Sequence, residues 1–186
     1  ESNFIVLVDE NYLIIRKFRK DDVHIFAKSA LKNANHISSY MSDGIIYSQL
    51  SERDFNRVIS HFLSENFPYE YFGIFYADMC IGSGILIPSN FEDGIQIIYW
   101  VDFDFQKQGI ATKVVDFLIS YSFKMGYKLI EAQTDITNLS SLCVLKKNKF
   151  KIFDVYQTNP QGTKDIGRTI IWLRFAENQF FPKLRK

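Results

Sequence analysis

Gln106-Lys107-Gln108-Gly109-Ile110-Ala111 is a small-residue turn between an apolar run at residues 95–101 and a helix-like run that continues to Met125. A strand that feeds such a turn into a helix builds an anion cradle. The first backbone N–H groups of the helix lack intrahelical acceptors and point outward, with the positive end of the helix dipole behind them. Phosphate or pyrophosphate is the chemistry that fits. Downstream, Val114, Val115, Leu118, Ile119, Ser122 and Phe123 recur at helical spacing, and Gly126 is placed to end the helix.

Outward from this segment, strand patterns occur at residues 13–16, 71–76, 81–87, 129–134, 150–156 and 168–175. Helix patterns cover residues 21–32, with acidic Asp21 and Asp22 in the first turn, and residues 51–63, with Ser51 as N-cap and Val58, Phe62 and Leu63 spaced for one buried face. A further short helix is expected over residues 140–148. Residues 33–44, rich in Asn, Ser and Gly, read as loop or irregular helix, and Asn159-Pro160-Gln161-Gly162 reads as a turn. Gly82-Ser83-Gly84 is not a dinucleotide fingerprint, because no helix follows it. Together these elements predict an α/β (α+β) fold, a mixed and mostly antiparallel central sheet flanked by helices, in one domain over residues 1–186.

Composition narrows the function classes. A chain of 186 residues supports one sizeable core, and a formal net charge of +1 leaves no electrostatic footprint for nucleic acid. The basic end Lys183-Leu184-Arg185-Lys186 reads as a solvated tail. Two cysteines, Cys80 and Cys143, stand far apart without metal-ligand spacing, so neither a metal site nor a disulfide framework is expected and a reducing cytoplasm is the natural compartment. No apolar run approaches the roughly 18 to 20 residues of a membrane span, and the first residues lack the basic start of a signal peptide. Most of the aromatic residues read as core, with Tyr40, Tyr69 and Tyr71 as candidates to line a groove.

The spacing Gln-x-x-Gly-x-Ala at residues 106–111 resembles the signature with which the GNAT superfamily of N-acetyltransferases holds the pyrophosphate of acetyl-coenzyme A. Its surroundings deepen the likeness. The run Ile98-Tyr99-Trp100-Val101, the strand Leu129-Ile130-Glu131-Ala132 and the segment from Asp135 through Asn138-Leu139-Ser140-Ser141 to Phe150 are similar to the branch that acetylates ribosomal-protein N-termini, the RimJ/RimL type. The likeness covers residues 13–175, and its specific part is 95–150.

That resemblance implies a division of labour. Trp100, Val101 and Phe103 would hold the pantetheine arm through main chain, and Gln106, Gln108, Gly109, Ile110, Ala111 and Thr112 would hold the pyrophosphate. Asn138 would bond the pantetheine or nearby main chain. Ser141 would protonate the departing thiolate. Where relatives often carry a Glu that takes the amine's proton, this chain has Gln96, which can orient a water or the acceptor but cannot serve as a base. Glu131, Asp135, Glu92 and Asp93 stay open as alternatives, and His36 lies in the region that borders the acceptor. At Asn148-Lys149-Phe150 relatives typically have a Gly before the Phe, and Asn148, which tolerates the left-handed conformation, is expected to let the helix end one residue early. Cys143 sits among Leu142, Val144 and Leu145 and is expected in the core rather than as a nucleophile.

The implied activity is acetyl-CoA-dependent transfer to a primary amine by direct attack, without a metal. An α-amine with a pKa near ~8 needs less help than a lysine near ~10, which favours a protein N-terminus as acceptor. A polyamine or aminoglycoside is the alternative acceptor, and a non-catalytic acyl-CoA-binding module is the rival from another class. The resemblance also allows a homodimer. Acceptor choice is expected to rest on residues 33–51 and 153–168.

Overall fold

The apolar run Phe4-Ile5-Val6-Leu7-Val8 forms β1 (Phe4–Val8), which turns through Asp9 and Glu10, both at positive φ (47° and 58°), into β2 (Asn11–Lys17). A turn with two left-handed residues matches the natural twist of a hairpin, which fixes the register at Val8 opposite Asn11. The computed structural model describes residues 3–38, 51–64, 69–158 and 167–176. Tyr40, the turn at 159–162, the basic tail and most of the two segments expected to select the acceptor lie outside the described residues.

After β2 come α1 (Val23–Ser38), α2 (Glu52–Phe62), β3 (Glu70–Tyr76), β4 (Met79–Pro88), β5 (Gly94–Val101), α3 (Ile110–Lys124), β6 (Leu129–Asp135), α4 (Leu139–Lys147), β7 (Lys151–Thr158) and β8 (Gly167–Phe175). The strands form one sheet in the order β1-β2-β3-β4-β5-β6-β8-β7. Every neighbouring pair is antiparallel except β5 with β6, which the crossover through α3 makes parallel. The expected mixed, mostly antiparallel sheet is therefore present, with β1 as an additional edge strand. Its signal, an apolar run ahead of Asp-Glu, is visible in the sequence, but the reading of residues 1–8 went only to the question of a signal peptide.

The two faces of the sheet carry separate cores. On one, Val114, Val115 and Leu118 of α3 are fully buried against Ile95, Ile97 and Val101 of β5 and Leu13 and Ile15 of β2. Each such side chain contributes about 1.5–3 kcal/mol on burial. On the other, Phe26, Ala30 and Ile37 of α1 and Phe55 and Ile59 of α2 pack on Phe75 and Trp100. Alternation along β5 explains how consecutive residues serve opposite cores.

Three local expectations change. The helix expected to end near Lys32 runs on to Ser38, because Asn33 is buried with its amide donating to Ser29 C=O (2.9 Å) and to Asp102 Oδ2 (2.9 Å). A polar residue thus continues a helix once tertiary partners satisfy it. Ser51 caps α2 with Asp54 in a capping box as expected, and Val58 packs against the core, but that face is centred on Phe55 and Ile59 and Leu63 is exposed, while the Phe62 side chain lies outside the described ones. At the end of α4 the left-handed residue is Lys149 (φ 64°) rather than Asn148, whose side chain instead donates to Val144 C=O and to Thr112 C=O at 3.3 Å. That second bond ties α4 to the first turn of α3. Gly126 (φ 95°) does end α3, with Tyr127 N–H reaching Ser122 C=O as a Schellman motif requires.

Candidate active site

β5 and β6 part company halfway along. Their pairing runs from Gly94 opposite Leu129 to Ile97 opposite Ala132 and stops, while β5 stays paired with β4 as far as Val101 and β6 stays paired with β8 as far as Asp135. The far end of each strand is anchored on its own side. Beyond β5, Asp102 N–H donates to Ile81 C=O, and the buried Asp102 carboxylate accepts from Lys32 Nζ (2.9 and 3.0 Å) and Asn33 Nδ2 of α1. On β6, Thr134 Oγ1 accepts from the indole N–H of Trp172 in β8 (2.8 Å). Desolvation raises the pKa of Asp102, but hydrogen bonds from Lys32, Asn33 and the Asp104 N–H outweigh it, and the carboxyl titrates below its ordinary range.

Between the diverging strands lies a cavity of about 700 Å³. Its walls are residues 97–101 of β5, residues 132–135 of β6, the end of α1 at His36 and Ile37, the turn before α3, and the first turns of α4. Among the described residues, none pairs with residues 98–101 of β5 on the side that faces β6. An extended ligand with amide groups could pair there as a short strand does.

The turn at one end of the cavity has the expected form. Gly109 caps α3 with φ 78°, a conformation that favours glycine, and a Cβ built on it would meet no atom within 4 Å. The space above the turn is left open by the backbone, as a cradle for a group that approaches closely. The first intrahelical bond of α3 is Lys113 N–H to Gly109 C=O (3.2 Å), so the N–H groups of Ile110, Ala111 and Thr112 precede it and lack helical acceptors. Gly109, Ala111, Thr112 and Gln106 line the cavity. Ile110 sends its side chain into the core and has only its N–H to offer. Gln108 folds its amide back onto Asp104 C=O (3.3 Å) and lies off the cavity wall. Lys107, at φ 61°, adds a cation on the wall that the sequence reading passed over.

Trp100 and Val101 line the cavity, but Phe103 does not. Its N–H is taken by Asn33 Oδ1 (3.0 Å) and its ring stands exposed under Lys32, so it is not available to bind a ligand arm through that N–H. Gln96 is also off the cavity wall. It lies where β5 is still paired on both edges, opposite Ile87 and Glu131.

Opposite the turn, Asn138 is the N-cap of α4, its Oδ1 accepting Ser141 N–H at 3.2 Å. The Asn138 amide nitrogen takes no part in that bond. Ser141 Oγ lies 2.8 Å from the phenol oxygen of Tyr99, and all three residues line the cavity. Burial pushes the Tyr99 phenol up to about 12, with the Ser141 hydrogen bond acting in the opposite direction. Tyr99 was missed in the sequence, although the alternation Ile97, Tyr99, Val101 sends it to the α3 and α4 side. Cys143 is exposed on the cavity wall, not in the core, because the buried face of α4 is centred on Leu145, two residues and about half a turn away.

Of the four carboxylates considered as bases, only Asp135 lines the cavity, and its Oδ1 accepts from Thr137 N–H and Oγ. Glu131 is buried with Ser89 Oγ (2.5 Å) and Gln133 Nε2 (2.7 Å) as donors, and Glu92 and Asp93 are exposed, Asp93 paired with Lys128. His36 stands on the wall with Gln106 Nε2 2.6 Å from its Nε2. Tyr69 and Tyr71 are absent from the wall, Tyr71 packing instead on the α1 and α2 core. Among the described residues there is no group of three or more side chains able to hold a metal ion, and no helix is long and apolar enough to cross a membrane.

The family model described as an acetyltransferase (GNAT) domain matches residues 12–151. No curated protein sequence matches the chain. Among solved structures, the fold is similar to RimL, a ribosomal L7/L12 α-N-protein acetyltransferase in complex with coenzyme A (TM-score 0.80, 17% identity, covering 95% of this chain and 100% of that one). It is similar also to Mycobacterium smegmatis RimJ in complex with a CoA-disulfide (0.78, 17%, 94% and 87%) and to the microcin C7 self-immunity acetyltransferase MccE with acetyl-CoA and AMP (0.77, 16%, 88% and 92%). At these identities the likeness is one of fold.

Proposed function

The chain belongs to the GNAT acetyltransferase family, and from that premise we propose that it acts as a single-domain, acetyl-CoA-dependent N-acetyltransferase on protein N-terminal α-amines. The observation that carries this reading is the parting of β5 from β6, which sets an unpaired backbone edge next to the glycine-capped turn of α3. A pantetheine arm has the amides to pair with the edge. A pyrophosphate has the charge to suit the N–H groups of Ile110, Ala111 and Thr112 and the open space over Gly109. RimL and RimJ, whose fold this chain shares, support the choice of a protein N-terminus, and two free cysteines fit a reducing cytoplasm.

In this reading the acceptor nitrogen attacks the thioester carbonyl carbon directly, forming the C–N bond as the C–S bond breaks. Ser141 Oγ–H gives its proton to the departing sulfur, and the surplus proton on nitrogen leaves to water. Asn138 holds Ser141 in place and turns its amide nitrogen toward the ligand. Cys143, though on the wall, forms no acyl intermediate. An α-amine, already partly neutral near pH 8, needs no dedicated carboxylate, which suits a site whose one wall carboxylate among the described residues is engaged in its own turn.

Calorimetric titration with acetyl-CoA, against ATP as a phosphate-bearing control, tests the donor half. Micromolar binding selective for acetyl-CoA is expected, and equal binding of ATP or none at all overturns it. Thiol release with peptides bearing a free α-amine, set against N-terminally blocked lysine peptides, spermidine and kanamycin, tests the acceptor half. Turnover confined to the polyamine or aminoglycoside would replace the N-terminus as acceptor.

A further inference from the structure

We propose that Tyr99 is a positioning residue for the thiolate-protonating step, donating its phenol hydrogen to Ser141 Oγ so that the Ser141 hydrogen is directed into the cavity. The inference rests on the acetyl-transfer reading above and gives a role to a residue to which the resemblance assigned none.

The direction of the hydrogen bond follows from what each group can do. Tyr99 has one O–H, and Ser141 Oγ, 2.8 Å away, is the acceptor within its reach. The half-exposed Ser141 hydroxyl can turn its hydrogen toward the cavity while the phenol keeps its hydrogen bond only by donating, so the phenol is assigned as donor. Ser141, half-exposed on the cavity wall, then accepts through a lone pair and keeps its own hydrogen free to turn elsewhere. With its N–H bonded to Asn138 Oδ1 and its Oγ bonded by Tyr99, the residue is held from two sides and its own hydrogen is left for the ligand space.

As the C–S bond breaks, the sulfur takes the Ser141 proton and negative charge appears on Oγ. The Tyr99 O–H meets the charge developing on that oxygen through a hydrogen bond that strengthens as the charge grows. The raised phenol pKa, caused by burial, keeps Tyr99 neutral and able to donate in the resting site. The first turn of α4, where Ser141 sits, adds the positive end of the helix dipole. Ser141 then regains a proton from solvent, equal to the one the acceptor nitrogen releases, and the step balances.

The test uses the intact protein with Tyr99→Phe, Ser141→Ala and the double variant. Tyr99→Phe removes one oxygen and leaves the ring in place, and a thermal melt confirms that each variant is folded. The first readout is ultraviolet titration of the thiol of bound CoA, as a difference spectrum against free protein, which needs no acceptor. A directed Ser141 hydrogen stabilises the bound thiolate, so the thiol is expected to titrate about one unit below free CoA, a ten-fold effect. Most of that lowering should vanish in Tyr99→Phe and Ser141→Ala alike, with the double variant no different from Ser141→Ala. The second readout is turnover with an α-amine peptide. Tyr99→Phe should lower kcat about 10- to 100-fold, the worth of one hydrogen bond to a charged group, with the KM for acetyl-CoA little changed. A Tyr99→Phe variant with wild-type thiol titration and kcat overturns the proposal, as do losses that multiply in the double variant. Failure of the wild type to bind CoA would instead remove the acetyl-transfer reading itself.

Discussion

Replacing Gly109 by alanine separates the strain of the turn from the binding of the donor. At φ 78° an L-residue is held in the left-handed region, which costs about 1–2 kcal/mol relative to glycine, and the new methyl group meets no protein atom within 4 Å. The fold should therefore lose only about 1 kcal/mol, offset in part by the lower entropy of the unfolded chain, and Tm should fall by about 2–4 °C for a chain of this size. The methyl projects into the space over the turn. A pyrophosphate pushed outward there would weaken its bonds to the N–H groups of Ile110, Ala111 and Thr112. Charge-assisted bonds of this kind contribute about 1.5–3 kcal/mol each, so losing one raises Kd for acetyl-CoA about 10- to 100-fold. Calorimetry with the variant and the wild type, alongside thermal melts, measures both quantities. An unchanged Kd with the Tm shift present would refute the assignment of this turn to the phosphates, because the strain would have been introduced without touching the ligand.

Two further predictions follow from side chains that shape the site. Asp102→Asn should destabilise the fold by about 2 kcal/mol at neutral pH, because it removes the charge that Lys32 and Asn33 hold against α1. The folded pKa of Asp102 is depressed, so its contribution is fully present above the unfolded carboxylate value near ~3.9 and is lost as pH falls through the lower folded value. Chemical denaturation between pH 6 and pH 3, roughly spanning that window, should show the difference between wild type and variant shrinking toward the acid end. Lys149→Gly should raise stability by about 0.5–1 kcal/mol, since φ 64° is strained for lysine and the gain exceeds the extra flexibility of glycine in the unfolded chain. A thermal melt in which Tm falls would contradict it.

Much of this protein is written in local sequence. The period of Val114, Val115, Leu118 and Ile119 specifies α3, and Gly126 ends it, because helical spacing and the left-handed cap are properties of a few neighbouring residues. The Gln106 to Ala111 turn is legible for the same reason, since a small residue between strand and helix can serve few purposes. Capping by Ser51 is likewise read from a single residue and its near neighbours.

Tertiary structure decided what depends on partners distant in the chain. Whether Asn33 breaks or continues α1 turned on Asp102, 69 residues away, and the same carboxylate holds the end of β5 apart from β6. Asn33 takes the Phe103 N–H, and Gln96 stands off the wall because the strands are still paired there. Tyr99 and Ser141, 42 residues apart, meet only where β5 and α4 face one cavity. Cys143 looked buried from its neighbours, but α4 rests on Leu145 and turns the thiol outward. The sequence by itself determined the elements and the anion turn, because those follow from spacing along the chain. The packing determined which side chains share the cavity, because hydrogen bonds and burial across the sheet are set by three-dimensional neighbours that no local pattern specifies.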